Sequence, residues 1–302
     1  MRIQSNPFHF RSSLRKILFP LFAVLLVTVA SCGRQKENRD IVSVSIQPLE
    51  YFVDRLTGGG LEVNVMVPAG SSHGTYSPTT QQFQRLSDSR LYLRIGYLGY
   101  EQAWIGRLNE LNPGMRVLNL SDHTMLIRGD VIDHGDHVHE GGIDPHIWMS
   151  PAVMMEVLPV MRDFIVESFP DHGDVVRENY PLLESDIIDV HLQLANLNNT
   201  LSRRSFMIFH PALTYLARDY GFTQVSIEHE GKEPSPARLA GMIREAREHA
   251  IPVVFIQEEY DIRNARLISE ETGAEIVRIN PLGYNWLETM QELIETLKAH
   301  MQ

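Results

Sequence analysis

At 302 residues with a formal net charge of −11, the chain is long enough for two cores and too acidic to suit a nucleic-acid partner. Cys32 is the single cysteine, which excludes an intramolecular disulfide. An acidic surface concentrates cations nearby but does not by itself make a metal protein.

The first residues read as a leader. Arg2, Arg11, Arg15 and Lys16 precede an apolar run from Ile17 to Ala30, and no acidic residue occurs before Glu37. A basic segment followed by an apolar run too short to span a bilayer comfortably predicts an export signal over residues 1–31. It ends in Val29-Ala30-Ser31-Cys32-Gly33, which resembles the lipobox of bacterial lipoproteins. That resemblance implies cleavage before Cys32 and a diacylglycerol on its thiol, the alternative being a free thiol beside a plain signal peptide. Gly33 to Asp40 contains no apolar residue, so residues 32–40 are expected to form a lipid-anchored, solvated tether. Loss of the leader's four basic residues takes the charge from −11 to −15, with 23 basic against 38 acidic residues.

From residue 41 strands alternate with helices. Ile41 to Ile46 and Leu61 to Val67 alternate with period two, and Leu91 to Ile95 and Met115 to Leu120 are shorter strand candidates. Helices are expected around Tyr51 to Leu56, stopped by Gly58-Gly59-Gly60, and at Gln81 to Leu86 and Gln102 to Leu108. Asp171 to Leu201 carries almost no loop signal, and Ile187, Val190, Leu194, Leu197 and Leu201 recur at helical spacing. A helix of about 30 residues, roughly 45 Å long, is predicted there, kinked at Pro181. Strands are then expected at Phe206 to Phe209, Val225 to Ile227, Val253 to Ile256 and Glu275 to Ile279. Helices are expected at Pro236 to Ala250, Arg263 to Glu271 and Trp286 to His300. The predicted fold is α/β: two lobes, 41–170 and 203–302, each with a mostly parallel sheet flanked by helices, bridged by one long rigid helix over 171–202. Such a bridge argues against large clamshell closure.

Four residues sit just beyond strand or core segments: His73 in Ser-Ser-His-Gly-Thr-Tyr-Ser-Pro, His146 in Ile-Asp-Pro-His-Ile-Trp-Met-Ser-Pro, His210 in Met-Ile-Phe-His-Pro-Ala, and Asn280 in Ile-Asn-Pro-Leu-Gly. Loops leaving the carboxyl ends of strands converge on one crevice in α/β folds, and three imidazoles there make a transition-metal site. Taken singly each has an ordinary reading: His73 as a solvent-exposed loop residue, His210 as a helix-start residue bonded to backbone. His146 is stiffened by Pro145, and Trp148 can pack beneath it.

Together the segments resemble, in order and spacing, the metal-binding component of bacterial ABC importers for zinc and manganese, the cluster A-I solute-binding family. The matching phrases include Tyr76-Ser-Pro-Thr, Ile95-Gly-Tyr-Leu-Gly-Tyr-Glu101, Gly142-Ile-Asp-Pro-His-Ile-Trp-Met-Ser-Pro151, Gly231-Lys-Glu-Pro-Ser-Pro236 and Ile279-Asn-Pro-Leu-Gly283. The resemblance covers essentially the whole mature chain. It implies an ion held between two lobes by His73, His146 and His210, an extracytoplasmic location, and delivery to a permease whose own nucleotide-hydrolysing partner supplies the energy. Many members have aspartate where this chain has Asn280. An amide oxygen is a poor zinc ligand, so Asn280 is a weak fourth ligand, a water holder or an outer partner, with Glu258, Glu259 and then Glu230 as carboxylate alternatives. Three nitrogens place zinc ahead of manganese, a harder ion that prefers oxygen.

A second cluster, His123 and then His134, His137 and His139 within Asp133 to Glu140, resembles the histidine-rich stretch of zinc-directed members. It either collects zinc loosely near the main site or is an acidic loop that binds nothing. Rival functions are a manganese carrier, a metal-dependent enzyme or chelatase of similar fold, and an extracellular adhesin. No HExxH, G-x-S-x-G or phosphate-loop phrase occurs, and the expectation is that the chain is not an enzyme.

Overall fold

The computed structural model describes residues 40–302 except 130–131, 134–137, 140–141, 198 and 229–233. The predicted leader and tether up to residue 39, Cys32, His134, His137 and Glu230 therefore lie outside the described residues, and of His139 only the backbone is described.

The first lobe begins with β1 (Ile41–Ile46), α1 (Gln47–Thr57), β2 (Glu62–Val67), α2 (Thr80–Asp88), β3 (Leu91–Arg94), α3 (Gly99–Leu111) and β4 (Arg116–Asn119). Its strands pair in parallel in the order β2-β1-β3-β4. A short antiparallel pair, β5 (Ile132–Asp133) and β6 (Val138–His139), precedes a 3-10 turn at Ile147–Met149 and helix α4 (Pro151–Ser168). Helix α5 (Gly173–Leu197) follows, and the second lobe comprises β7 (Ser205–Ile208), α6 (Thr214–Tyr220), β8 (Thr223–Ser226), α7 (Pro236–Glu248), β9 (Val253–Gln257), α8 (Arg263–Thr272), β10 (Glu275–Ile279) and α9 (Trp286–His300). Its sheet is also parallel, ordered β10-β9-β7-β8. Counted from the first strand of each lobe, the two orders are the same. Each sheet therefore has its switch in connection direction beside its first strand, where α/β sheets form ligand crevices.

Period-two alternation explains the second sheet directly. Phe206 and Ile208 of β7, with Val253 and Phe255 of β9, face the main core, while Met207, Phe209, Val254 and Ile256 pack into a second cluster with α7 and α8 residues such as Met242 and Ile268. Strand β1 departs from its alternating sequence, because all six of its residues are buried. Ser43 and Ser45 go inside because they are bonded there: the Ser43 hydroxyl lies 2.7 Å from Ser89 Oγ and accepts from Asn64 Nδ2 at 2.9 Å.

Helix α5 is 25 residues long, about 37 Å, against the 30 expected. Pro170 opens a 3-10 turn ahead of it, and at its far end the N–H groups of Thr200 and Leu201 both turn back to Leu197 O. Pro181 lies inside it, and Val176, Leu183, Ile187, Val190, Leu194 and Leu197 are its buried stripe. That stripe packs against α4, against α1 of the first lobe and against α9 of the second. Helices α4 and α6 had no counterpart in the sequence reading, although Ser150 caps α4 by accepting from the Val153 N–H and Pro151 occupies its first position. Among the described residues no helix is long and apolar enough to cross a membrane.

Glu101 fixes the turn that carries the first lobe's cleft edge. Its buried carboxylate accepts from the N–H groups of Ile95 (3.1 Å), Gly96 (2.6 Å) and Leu98 (3.2 Å) and from the Ser45 hydroxyl. The turn it holds meets the His73 loop tightly, since a Cβ on Gly99 would lie 2.7 Å from Gly74 O. Glu101→Ala would strand the buried N–H groups of Gly96 and Leu98, and we expect a loss of about 3 kcal/mol, seen as a melting temperature lowered by about 6–12 °C. A melt within 2 °C or so of the parent would contradict this role.

Candidate metal centre

His73 sits in the loop between β2 and α2, His146 immediately before the 3-10 turn leading to α4, and His210 two residues after β7. These three elements are far apart in sequence, yet they deliver the three Nε2 atoms to one point. His73 to His146 is 2.9 Å, and His210 lies 3.2 Å from each. Among the described residues these three are the one group of histidine, cysteine and carboxylate side chains close enough to share an ion. For comparison, ligands at about 2.0–2.1 Å around a tetrahedral zinc are separated by roughly 3.3 Å.

The outward nitrogens show why the inward ones are available. His146 Nδ1 lies 2.8 Å from Asp144 Oδ1, which also accepts from the His146 backbone N–H at 2.9 Å. His210 Nδ1 lies 3.1 Å from Glu228 Oε2. A carboxylate accepts only, so each Nδ1 carries the proton and each Nε2 presents a bare lone pair. Burial pushes His73 well below the ordinary imidazole range, and the neighbouring His146 and His210 push it the same way. Burial also lowers His146, with Asp144 opposing. Burial alone would raise Asp144, but the charge and hydrogen bonds of His146 bring its carboxyl below the usual value. The neutral, metal-ready form is thus the one the fold favours.

The surroundings hold the rings in place. Trp148 lies against His146 with ring centroids 5.2 Å apart, as its position in the sequence suggested. Tyr260 stacks on His210 at 5.4 Å with planes 20° apart. Gln257 at the end of β9 donates from Nε2 to His210 O at 2.8 Å. A cleft of about 1120 Å³ opens onto all three imidazoles and is also lined by Asp144, Glu228 and Arg238.

The other expected positions lie differently. No carboxylate joins the three imidazoles among the described residues. Glu258 is exposed, and Glu259 is half-buried, its carboxyl raised by burial with the charge of His210 opposing. Asn280 is exposed at the end of β10, its amide over Gly283, where a Cβ would come within 3.3 Å of it. His123 is exposed in a 3-10 turn at Leu120–His123. Sequence reading missed Glu228 and the carboxylate role of Asp144. Asp144 stood two residues before His146 in a phrase already singled out, whereas Glu228 follows β8 with no motif to mark it.

Two α/β lobes of one strand order with three convergent imidazoles in the cleft define the class: a two-lobed cleft protein with a histidine centre. The chain belongs to the ZnuA family, described as zinc-uptake complex component A, periplasmic, which matches residues 42–300. It is 24% identical over 310 residues to the zinc-binding lipoprotein AdcA of Streptococcus pneumoniae R6, an alignment spanning 94% of this chain and 61% of AdcA. It thus spans about three fifths of the length of that relative. It is also 24% identical over 308 residues to the high-affinity zinc uptake system protein ZnuA of Bacillus subtilis 168, spanning 93% of this chain and 96% of that one. Among solved structures, a crystal structure of ZnuA superposes with a TM-score of 0.78 at 28% identity, covering 87% of this chain and all of the other.

Glu228→Gln keeps the size of the side chain while removing the charge behind His210. Zinc affinity is expected to fall by about 10–100-fold, with exposed Glu258→Gln unchanged as the control. Equal affinities in a chelator-competition titration would show that Glu228 does not tune His210.

Proposed function

We propose that this chain is the extracytoplasmic metal-binding component of an ABC importer, which captures Zn²⁺ between its lobes and delivers it to a membrane permease. The observation that carries the reading is the triangle of Nε2 atoms at 2.9–3.2 Å, two of them backed by carboxylates. His73, His146 and His210 are the ligands in this reading, and water completes a tetrahedral site, with Glu259 the carboxylate alternative and Asn280 an outer partner. Two outer carboxylates balance the charge of a divalent ion held by three neutral imidazoles. The names of its relatives, AdcA and ZnuA, support zinc as the cargo.

The remainder of the organisation follows from the same reading. Residues 1–31 serve as a lipoprotein signal, Cys32 carries the lipid, and 32–40 tether lobes 41–170 and 203–302, with 171–202 linking them, at an extracytoplasmic membrane face. The chain turns over no substrate: the ion is cargo, and hydrolysis belongs to the transporter. The histidines at 134, 137 and 139 lie along the sequence just before the His146 ligand and serve as a loose zinc collector.

Titrating residues 33–302 with zinc and with manganese against a competing chelator tests the proposal. Tight one-to-one zinc binding, lost in His210→Ala and much weaker for manganese, is the expected result; no tight binding would overturn the reading. Asn280→Asp should raise manganese affinity relative to zinc, and an unchanged ratio would remove Asn280 from the ion's surroundings.

A further inference from the structure

Two hydrogen bonds cross between the lobes beside the histidine centre. The indole N–H of Trp148 donates to Pro281 O at 2.8 Å, and the indole N–H of Trp286 donates back to Trp148 O at 2.7 Å. Both rings are buried, at 0% and 2% exposure. Trp148 belongs to the turn that follows His146, whereas Pro281 and Trp286 belong to the segment joining β10 to α9 of the second lobe.

Trp148 is also the platform of the centre. Its ring centroid is 5.2 Å from that of His146 and 6.1 Å from that of His73. The ring of Trp286 packs instead on Phe52, at 5.2 Å. One residue therefore lies against two of the three imidazoles while its indole N–H and its carbonyl are both held by the opposite lobe. A shift of the 280–286 segment would strand two buried indole donors together, so this contact is made or broken as a unit. The segment has a solvent-facing end as well: Tyr284 is 41% exposed, and its hydroxyl donates to Asp54 Oδ2 at 2.8 Å.

We propose that the crossed Trp148–Trp286 pair sets how long the ion is held, with Trp148 the positioning residue through which the 280–286 segment fixes His146 and His73. The inference rests on the zinc-carrier reading. It assigns to Trp286, which contributes no ligand, control over the dissociation of an ion it does not touch.

The test measures zinc release from loaded residues 33–302 into excess chelator by stopped flow, for the parent, Trp148→Phe, Trp286→Phe, the double variant and Trp104→Phe. Trp104 of α3 is the control, its ring packed on Phe83 at 4.7 Å. Dissociation is expected to be faster by about tenfold or more in each of the first two. The double variant should be no faster than the faster single one, association should stay within about threefold, and Trp104→Phe should match the parent. Circular dichroism and thermal melts identify which variants are folded at the assay temperature. If neither Phe variant folds, fluorotryptophan ¹⁹F NMR on the parent decides: zinc should shift the Trp148 and Trp286 resonances and leave Trp104 in place, and a shift of Trp148 alone would overturn the inference. A folded Trp286→Phe that releases zinc at the parental rate would overturn it too, leaving the carrier reading intact. Failure of the parent to bind zinc would overturn both.

Discussion

Holding three imidazole Nε2 atoms at one point, 2.9–3.2 Å apart, is the constraint on which the rest of the structure depends. Lone pairs so placed repel, and any of the rings would turn away or take up a proton if it were free to do so. At His146 the fold works against both. Asp144 and Glu228 occupy the outward nitrogens of His146 and His210, and burial makes protonation of His73 and His146 costly. What remains is a pocket complementary to a soft-to-borderline divalent cation.

The architecture serves that convergence. Each lobe has the same strand order, so each presents the loops beside its first strand at its carboxyl edge, and the edges meet at the cleft. The first lobe contributes His73 from the loop after β2, pressed against Gly99 on the turn that Glu101 organises. The second contributes His210 after β7 and Glu228 after β8, with the Gln257 amide holding the His210 carbonyl. His146 comes from neither sheet edge. Its rigid Asp-Pro-His approach leads into a turn and a helix, and Tyr215 of α6 donates from its hydroxyl to Asp144 O at 2.8 Å, tying that approach to the second lobe. Helix α5 is packed by helices from both lobes.

Much of this was legible in the sequence, for reasons that can be named. The strands of both sheets are short apolar or alternating runs bounded by turn residues, and β1 and β10 start and stop where the pattern predicts. The three histidines were legible because each closes a strand or sits in a stiff, glycine- or proline-marked phrase. Helix α4 was not, because an interior Pro159 and a broad apolar surface blur its helical period, and α6 is only seven residues long. Alternation in β1 reports the polarity of its serines and not the partners that make their burial tolerable. Glu228 illustrates the limit for sites: its role is defined by the His210 ring that it meets across 18 residues of chain, and nothing local to it reveals that meeting.

X-ray absorption at the zinc edge of loaded protein, residues 33–302, tests the central claim most directly, because it reads the atoms around the ion without relying on affinity. The account predicts four-coordinate zinc with three imidazole nitrogens at about 2.0–2.1 Å and one further oxygen or nitrogen, falling to two imidazoles in any zinc retained by His210→Ala. A first shell dominated by oxygen, or one unchanged in that variant, would contradict it.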